Sequence, residues 1–506
     1  MLCAMTVGGD PFLATLALIG AVIVISALLS GLIERSGVPQ VGVLLALGAV
    51  LGPYGLGLID PRLDSPALHA VSTLSLTLVL FTDALSLDLA QIRQHLRLTQ
   101  LVVGPGTVLS AVLVTLAARF LLGLGWPAAA ILGAALASTD PVLLRGLLRR
   151  PDLPGTARLA LRLESGLNDA VLLPIVLVAM AFLDERSPTG PAGWSRMGLQ
   201  LFILGPGAGI AVGLLGVATL DLVRRRLGIR RDYESLYSLG LAFAAYAAAE
   251  SVHGSGFLAA FAAGMTISIF DVELCDCFQE YGETTAEMAL LFTFVLLGAS
   301  LIWTGFSVID GPTLLFVLIA LLVRPVVLLI SLAPLRLDRR SLLLISWFGP
   351  RGLSSLLLVL LPVFAGLPGS PRLFALCSLV VLFSVLIHGG SLMLLGRQPG
   401  APAPPAPPPP AAPLPVPRKK AVLPVLEPVA PAPAEPALPQ RIGIEELRAL
   451  QARGEPVVIL DVRKSRTFEA SDSTAAGAVR IDPDQAVREA ERLKLPKEAW
   501  LVAFCA

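Results

Sequence analysis

The stretch Leu163-Glu164-Ser165-Gly166-Leu167-Asn168-Asp169 places two carboxylates, a hydroxyl and a carboxamide within about one and a half helical turns of apolar chain. On a helix Glu164 and Asn168 share one face, and Ser165 and Asp169 share the next. An ionisable side chain inside a bilayer costs roughly 2.5–3.5 kcal/mol on insertion scales, so it persists where it has a task. Capping a helix from the interface is the plainer reading, but a cap does not need so many polar groups. A carboxylate in a partly dehydrated cavity can take up a proton or a cation, and the two compete for one site. Competition of that kind is exchange, and it needs no ATP. Oxygen ligands suit sodium or lithium and also admit potassium.

Three further places carry polar groups into apolar runs. In Ser138-Thr139-Asp140-Pro141 the proline removes a backbone donor and should break the helix. Broken helices at membrane depth expose carbonyls and helix ends that coordinate ions, although an ordinary proline kink would read the same locally. Gly349-Pro350-Arg351-Gly352 repeats the interruption later in the chain and adds a positive charge, unless Arg351 simply snorkels to an interface. Arg324, in Leu322-Val323-Arg324-Pro325, lies mid-span and demands a carboxylate partner, for which Glu164 is the candidate. Asp83 either ends its span or stands on the inner approach to the site; both readings remain open. His253, beside Gly254-Ser255-Gly256, is assigned no site role.

The elements that must position these residues follow from composition. Of the 506 residues 55% are hydrophobic and 15% charged, and the mean hydropathy is +0.78. That is too much apolar surface for a core in water. Apolar runs near 11–33, 38–52, 66–88, 99–123, 127–148, 159–183, 198–223, 235–252, 254–271, 284–303, 311–334, 341–365 and 371–396 give about thirteen spans, with 235–252 and 254–271 open to being one bent helix. The first run lacks a preceding Lys or Arg and a cleavage site, so it is expected to be a span and not a signal peptide. The two interruptions lie seven spans apart, an odd offset, which predicts inverted repeats containing two broken helices. Alternating strand-like patterning is absent, which argues against a β-barrel.

Arg residues concentrate in alternate loops: Arg35; Arg93 and Arg97; Arg145 to Arg158; Arg224 to Arg231; Arg336 to Arg340. Those loops are expected in the cytoplasm, which places the amino terminus outside and the carboxy terminus inside, although the acidic segment 271–283 falls on the same side. The net charge of +1 gives no reason to expect nucleic acid. Five scattered Cys form no metal-binding or disulfide pattern, and no cofactor is expected.

Beyond Arg397 a Pro/Ala-rich linker, residues 397–440, leads to a small α/β module, 441–506, with a strand at Val457 to Asp461. The expected organisation is thus a transmembrane domain at 1–396, a linker and a terminal module.

The motifs together resemble the monovalent cation:proton antiporters, in the bacterial NhaP-like sodium/proton exchanger branch, over about residues 12–396. The resemblance rests on Thr139-Asp140-Pro141, Glu164-Ser165 with Asn168-Asp169, His253-Gly254-Ser255-Gly256 with Ala263-Gly264, Arg324-Pro325 and Gly349-Pro350-Arg351-Gly352. It implies an inverted-repeat homodimer in the inner membrane that exchanges sodium, or lithium or potassium, for protons by an elevator-like movement. By the same resemblance Asp169 binds the ion, and Asn168 matches the neutral neighbour of electroneutral exchangers. Thr139 and Ser165 would offer oxygens, Asp140 would compensate broken helix ends, and Glu164 with Arg324 would hold the bundle.

The terminal module resembles rhodanese-like domains through Val458-Ile459-Leu460-Asp461-Val462-Arg463, Gly477-Ala478-Val479 and Leu501-Val502-Ala503-Phe504-Cys505. Cys505 takes the position of that family's active-site Cys, yet the loop that should follow it is missing, so sulfurtransferase activity is not expected. The expected function is secondary transport. The rivals are a potassium/proton antiporter or an ion channel on the same scaffold and, further off, a membrane-tethered sulfurtransferase.

Overall fold

The computed structural model describes residues 40–57, 60–87, 89–148, 150, 153–184, 190–226, 231–270 and 283–396, together with 447, 450, 453, 455–463, 477–481, 493 and 500–504. The expected first span, the linker and Cys505 lie outside the described residues. Two compact units divide the chain, Met1–Ala403 and Pro404–Ala506.

The first unit is helical. In chain order its main helices are α1 (Gln40–Leu51), α2 (Pro66–Ser86), α3 (Leu96–Leu121), α4 (Trp126–Ala137), α5 (Pro141–Leu148), α6 (Gly155–Leu183) and α7 (Pro191–Arg224). They continue with α8 (Arg231–Ser251), α9 (Gly256–Phe270), α10 (Glu283–Ala299), α11 (Gly311–Ser331), α12 (Arg339–Trp347), α13 (Leu353–Phe364) and α14 (Ser370–Gly396). Among the described residues six helices are long and apolar enough to cross a membrane, or seven if a pair bent by 50° at Ala299/Leu301 counts as one. Every apolar run expected from residue 38 onward carries helix, and the runs at 127–148 and 341–365 each carry two.

Local chemistry sets the helix ends. Pro sits in the first turn of α2, α4, α7 and α11, where its missing N–H costs nothing. Asp310 caps α11 by accepting from Thr313 N at 2.7 Å, and the Thr313 hydrogen bonds hold its carboxyl below the usual carboxylate range. Helix α8 ends at Ser251 and α9 starts at Gly256, with His253 between them at φ 59°, so this pair is two helices packed on each other and not one bent helix. Two spans contain π-helical turns, Val102–Leu109 within α3 and Gln200–Leu204 within α7.

The largest of three apolar core clusters among the described residues draws on α1, α4, α6, α10, α11, α13 and α14, with Phe294, Phe316 and Phe374 fully buried. In its middle stand α4 and α13, each interrupted at the end that carries the polar motif.

The second unit contains a parallel three-stranded sheet, order β2-β1-β3, made of β1 (Val457–Asp461), β2 (Val479–Arg480) and β3 (Trp500–Phe504). Val457 pairs with Trp500 and Leu460 with Val479. Asp461 holds Arg463 in a buried ion pair at 2.7 Å.

Candidate functional site

Helix α4 stops at Ala137 because Pro141 pushes the preceding residue away from helical geometry, and Ser138 is already extended at φ −63° and ψ 137°. Pro141 then opens α5. Helix α12 stops at Trp347 before Gly349-Pro350, and α13 restarts at Leu353. The two gaps lie against each other: Asp140 N donates to Pro350 O at 2.9 Å.

Each gap supplies the charge that the other needs. The amino terminus of α13 has unpaired N–H groups and a partial positive charge, and Asp140 Oδ2 accepts from Leu353 N at 2.6 Å. The carboxy terminus of α4 has unpaired carbonyls, and Arg351 Nη1 donates to Ala137 O at 2.9 Å and Ser138 O at 3.1 Å. Asp140 and Arg351 are both about 1% exposed. Glycine is required where these groups pass: a Cβ on Gly352 would strike the Asp140 carboxylate, and one on Gly349 would strike the Arg324 guanidinium.

Helix α6 brings its polar cluster to this crossing. Ser138 donates to Asp169 Oδ1 at 2.5 Å, and Ser354 of α13 approaches the same carboxylate. Asn168 Nδ2 donates to Thr139 Oγ1 at 2.8 Å and Thr139 O at 3.4 Å. Asp169 Oδ2 and Asn168 Oδ1 remain buried without a hydrogen bond, an arrangement that leaves two oxygens for a ligand. Hydroxyls at Ser138 and Thr139, the Asn168 carbonyl and one carboxylate are a hard-oxygen set, suited to a monovalent cation or to a proton on Asp169. No cluster of three or more His, Cys, Asp or Glu able to hold a metal exists among the described residues.

One turn before Asn168, Glu164 forms a fork with Arg324 of α11, Nε to Oε1 at 2.7 Å and Nη2 to Oε2 at 2.5 Å, while Arg324 Nη1 donates to Ser346 O at 2.8 Å. The pair ties α6 and α11 to the second gap. The Ser165 hydroxyl donates to Arg162 O within α6 at 3.3 Å and makes no hydrogen bond to Asp169 or Asn168 among the described residues. Asp83 lies half-buried in the last turn of α2, whose backbone passes Gly166 of α6.

Sequence reasoning did not single out Ser138, Ser354, Ser384 or His388. Ser138 stood inside the quoted motif, one residue before Thr139. Ser384 accepts from Arg351 N at 2.7 Å and lies 3.1 Å from His388 Nδ1, but both residues sit in the apolar helix α14, where no local pattern marks them.

The family model for the transmembrane sodium/hydrogen exchangers matches residues 22–397. The chain belongs to that family. Among its relatives, the chain is 31% identical over 396 residues to the K(+)/H(+) antiporter NhaP2 of Shewanella sp. strain ANA-3, covering 75% of this chain and 66% of the relative. It is 26% identical over 390 residues to the K(+)/H(+) antiporter NhaP of Alkalimonas amylolytica, covering 76% of this chain and 66% of the relative. The chain therefore spans just under two thirds of the length of those relatives. Its fold is that of the sodium proton antiporter MjNhaP1 from Methanocaldococcus jannaschii, with a TM-score of 0.61 at 20% identity over 76% of this chain and 98% of that one. As a member of a transmembrane family with six or seven helices able to cross a bilayer among its described residues, the chain is a multi-pass membrane protein.

Proposed function

We propose that the chain is a secondary antiporter that exchanges one monovalent cation for one proton, the two alternating on Asp169. The observation that carries this reading is the buried carboxylate at the crossing, anchored through one oxygen by Ser138 while the other oxygen is left without a partner. A cation there neutralises the carboxylate, and so does a proton. If access changes only when the site is neutral, each ion crosses in exchange for the other. Thr139, Asn168 and the Ser138 hydroxyl complete the oxygen set. Asp140 and Arg351 hold the gap open by serving the helix ends, and Glu164 with Arg324 holds the surrounding frame.

Asn168 makes the exchange electroneutral in this reading. It contributes a carbonyl oxygen and no second titrating carboxylate, so one charge enters for one that leaves. Sodium is the proposed cation, with lithium as a further substrate. Potassium is the alternative, favoured by the names of the curated relatives. Two further readings belong to the proposal: a homodimer in a lipid bilayer, and an orientation with the Arg-rich connections and the terminal unit in the cytoplasm. The terminal unit is read as a rhodanese-like module with a regulatory role, which leaves the chain a transporter and not an enzyme.

In proteoliposomes, a sodium, lithium or potassium gradient imposed in turn should drive proton movement, at a rate unchanged by a membrane potential of either sign. A rate that rises with one sign and falls with the other would overturn the one-for-one stoichiometry. Silence with all three cations at every pH would overturn the antiport reading.

A further inference from the structure

A cavity of about 530 Å³ lies between α3, α4, α6 and the π-helical turn of α7, walled by Thr115, Ala130, Pro174, Ile175 and Phe202 with Trp126 and Phe182 at its edge. That size falls within the roughly 300–1,000 Å³ of ligand pockets. Its walls are almost wholly apolar. Trp126, Phe182 and Phe202 are each more than half exposed, so the cavity opens sideways to whatever surrounds the helices. In a membrane-spanning unit that surrounding is acyl chain.

A cation stands at the mouth. Arg119 lies one turn beyond Thr115 on the same face of α3, and its guanidinium sits 5.6 Å from the centroid of the Trp126 ring. Nη1 donates to Leu124 O at 3.1 Å, and no carboxylate pairs with Arg119 among the described residues. Aromatic rings gather at the same level, with Phe120 edge-on to Trp126 at 6.4 Å and Phe182 tilted against Trp194 at 4.3 Å. Trp and Arg clustered at the end of spanning helices mark the headgroup region of a bilayer.

From the apolar cleft and the unpaired guanidinium at its rim we infer a phospholipid site, in which one acyl chain fills the cavity and the phosphate is held by Arg119. Water would gain nothing from walls without hydrogen-bond partners. A purely apolar occupant would leave the guanidinium unused, whereas a phosphate oxygen accepts its remaining N–H donors. The cavity borders α4 and α6, which carry the crossing and Asp169, so an acyl chain there would sit against the helices that hold the ion site.

The test titrates the detergent-solubilised full chain with phosphatidylglycerol bearing brominated acyl chains. Quenching of Trp126 is read as the difference between the wild-type and Trp126→Phe proteins. The comparator is diacylglycerol with the same chains and no phosphate. Quenching should saturate, with half-saturation about tenfold lower for the phospholipid, a charge-assisted hydrogen bond's worth of affinity. Arg119→Gln should erase the difference between the two lipids, Arg119→Lys should restore part of it, and Ala130→Phe should abolish saturable quenching by both. Quenching that rises without saturation and equally for both lipids, as a loose lipid annulus gives, would overturn the site. So would a phospholipid advantage that survives Arg119→Gln.

Discussion

Asp169→Asn should reduce cation-driven proton exchange in proteoliposomes to the rate of protein-free vesicles. The substitution keeps shape and one acceptor: the Asn carbonyl can still receive the Ser138 hydroxyl that bonds Asp169 Oδ1 at 2.5 Å. What it removes is the negative charge that attracts a cation and the oxygen that takes the proton. The protein should therefore stay folded, with a thermal midpoint near that of the wild type, while transport disappears. A channel whose cation path merely passes this residue would keep cation flux, so persistent cation flux without proton coupling would decide for that rival.

Arg324→Met should destabilise the membrane unit by about 3–5 kcal/mol, the usual penalty for leaving a buried charge without its partner. Only 3% of the Arg324 side chain and 4% of the Glu164 side chain are exposed, so neither can find water when the other is lost. The double variant Glu164→Met/Arg324→Met should recover most of the loss because no charge then remains buried. A remainder of about 1–3 kcal/mol should persist, because Ser346 O loses the donor it now has at 2.8 Å. Thermal unfolding of purified protein in detergent measures both, and additive losses in the double variant would show that the pair does not act as a unit.

Why some of this could be read from the chain and some could not has a physical basis. A bilayer forces helices to be long, apolar and internally hydrogen-bonded, so the helices from residue 38 onward fall on the apolar runs. Pro141 and Pro350 announce the two gaps because proline acts on its own neighbours. Glu164 and Arg324 could be paired in advance because a mid-span charge needs a partner and few are on offer. The exchange of charges across the crossing was legible only in part: the resemblance gives Asp140 to the broken helix ends, but that Asp140 serves α13 and Arg351 serves α4 depends on groups over 200 residues apart meeting in space. The 50° bend after Ala299 carries no proline either. It goes with a contact made across the chain, Ser300 Oγ to Pro61 O at 2.9 Å, and a local one over the bend, Trp303 Nε1 to Gly298 O at 2.6 Å. Helical spacing and the family resemblance both group Ser165 with Asp169, and neither says that its hydroxyl bonds back to Arg162 O.

The central claim is that proton and cation share one carboxylate, and counting protons released as the cation binds tests it most directly. Calorimetric titration of the purified protein with sodium or potassium, in two buffers of different ionisation enthalpy across a pH series, gives that count. If Asp169 is the shared group, close to one proton should leave per cation bound at low pH and none at high pH, cation affinity should weaken as pH falls, and Asp169→Asn should release none at any pH. Cation binding that releases no proton throughout the series, or releases as many from Asp169→Asn as from the wild type, would contradict it.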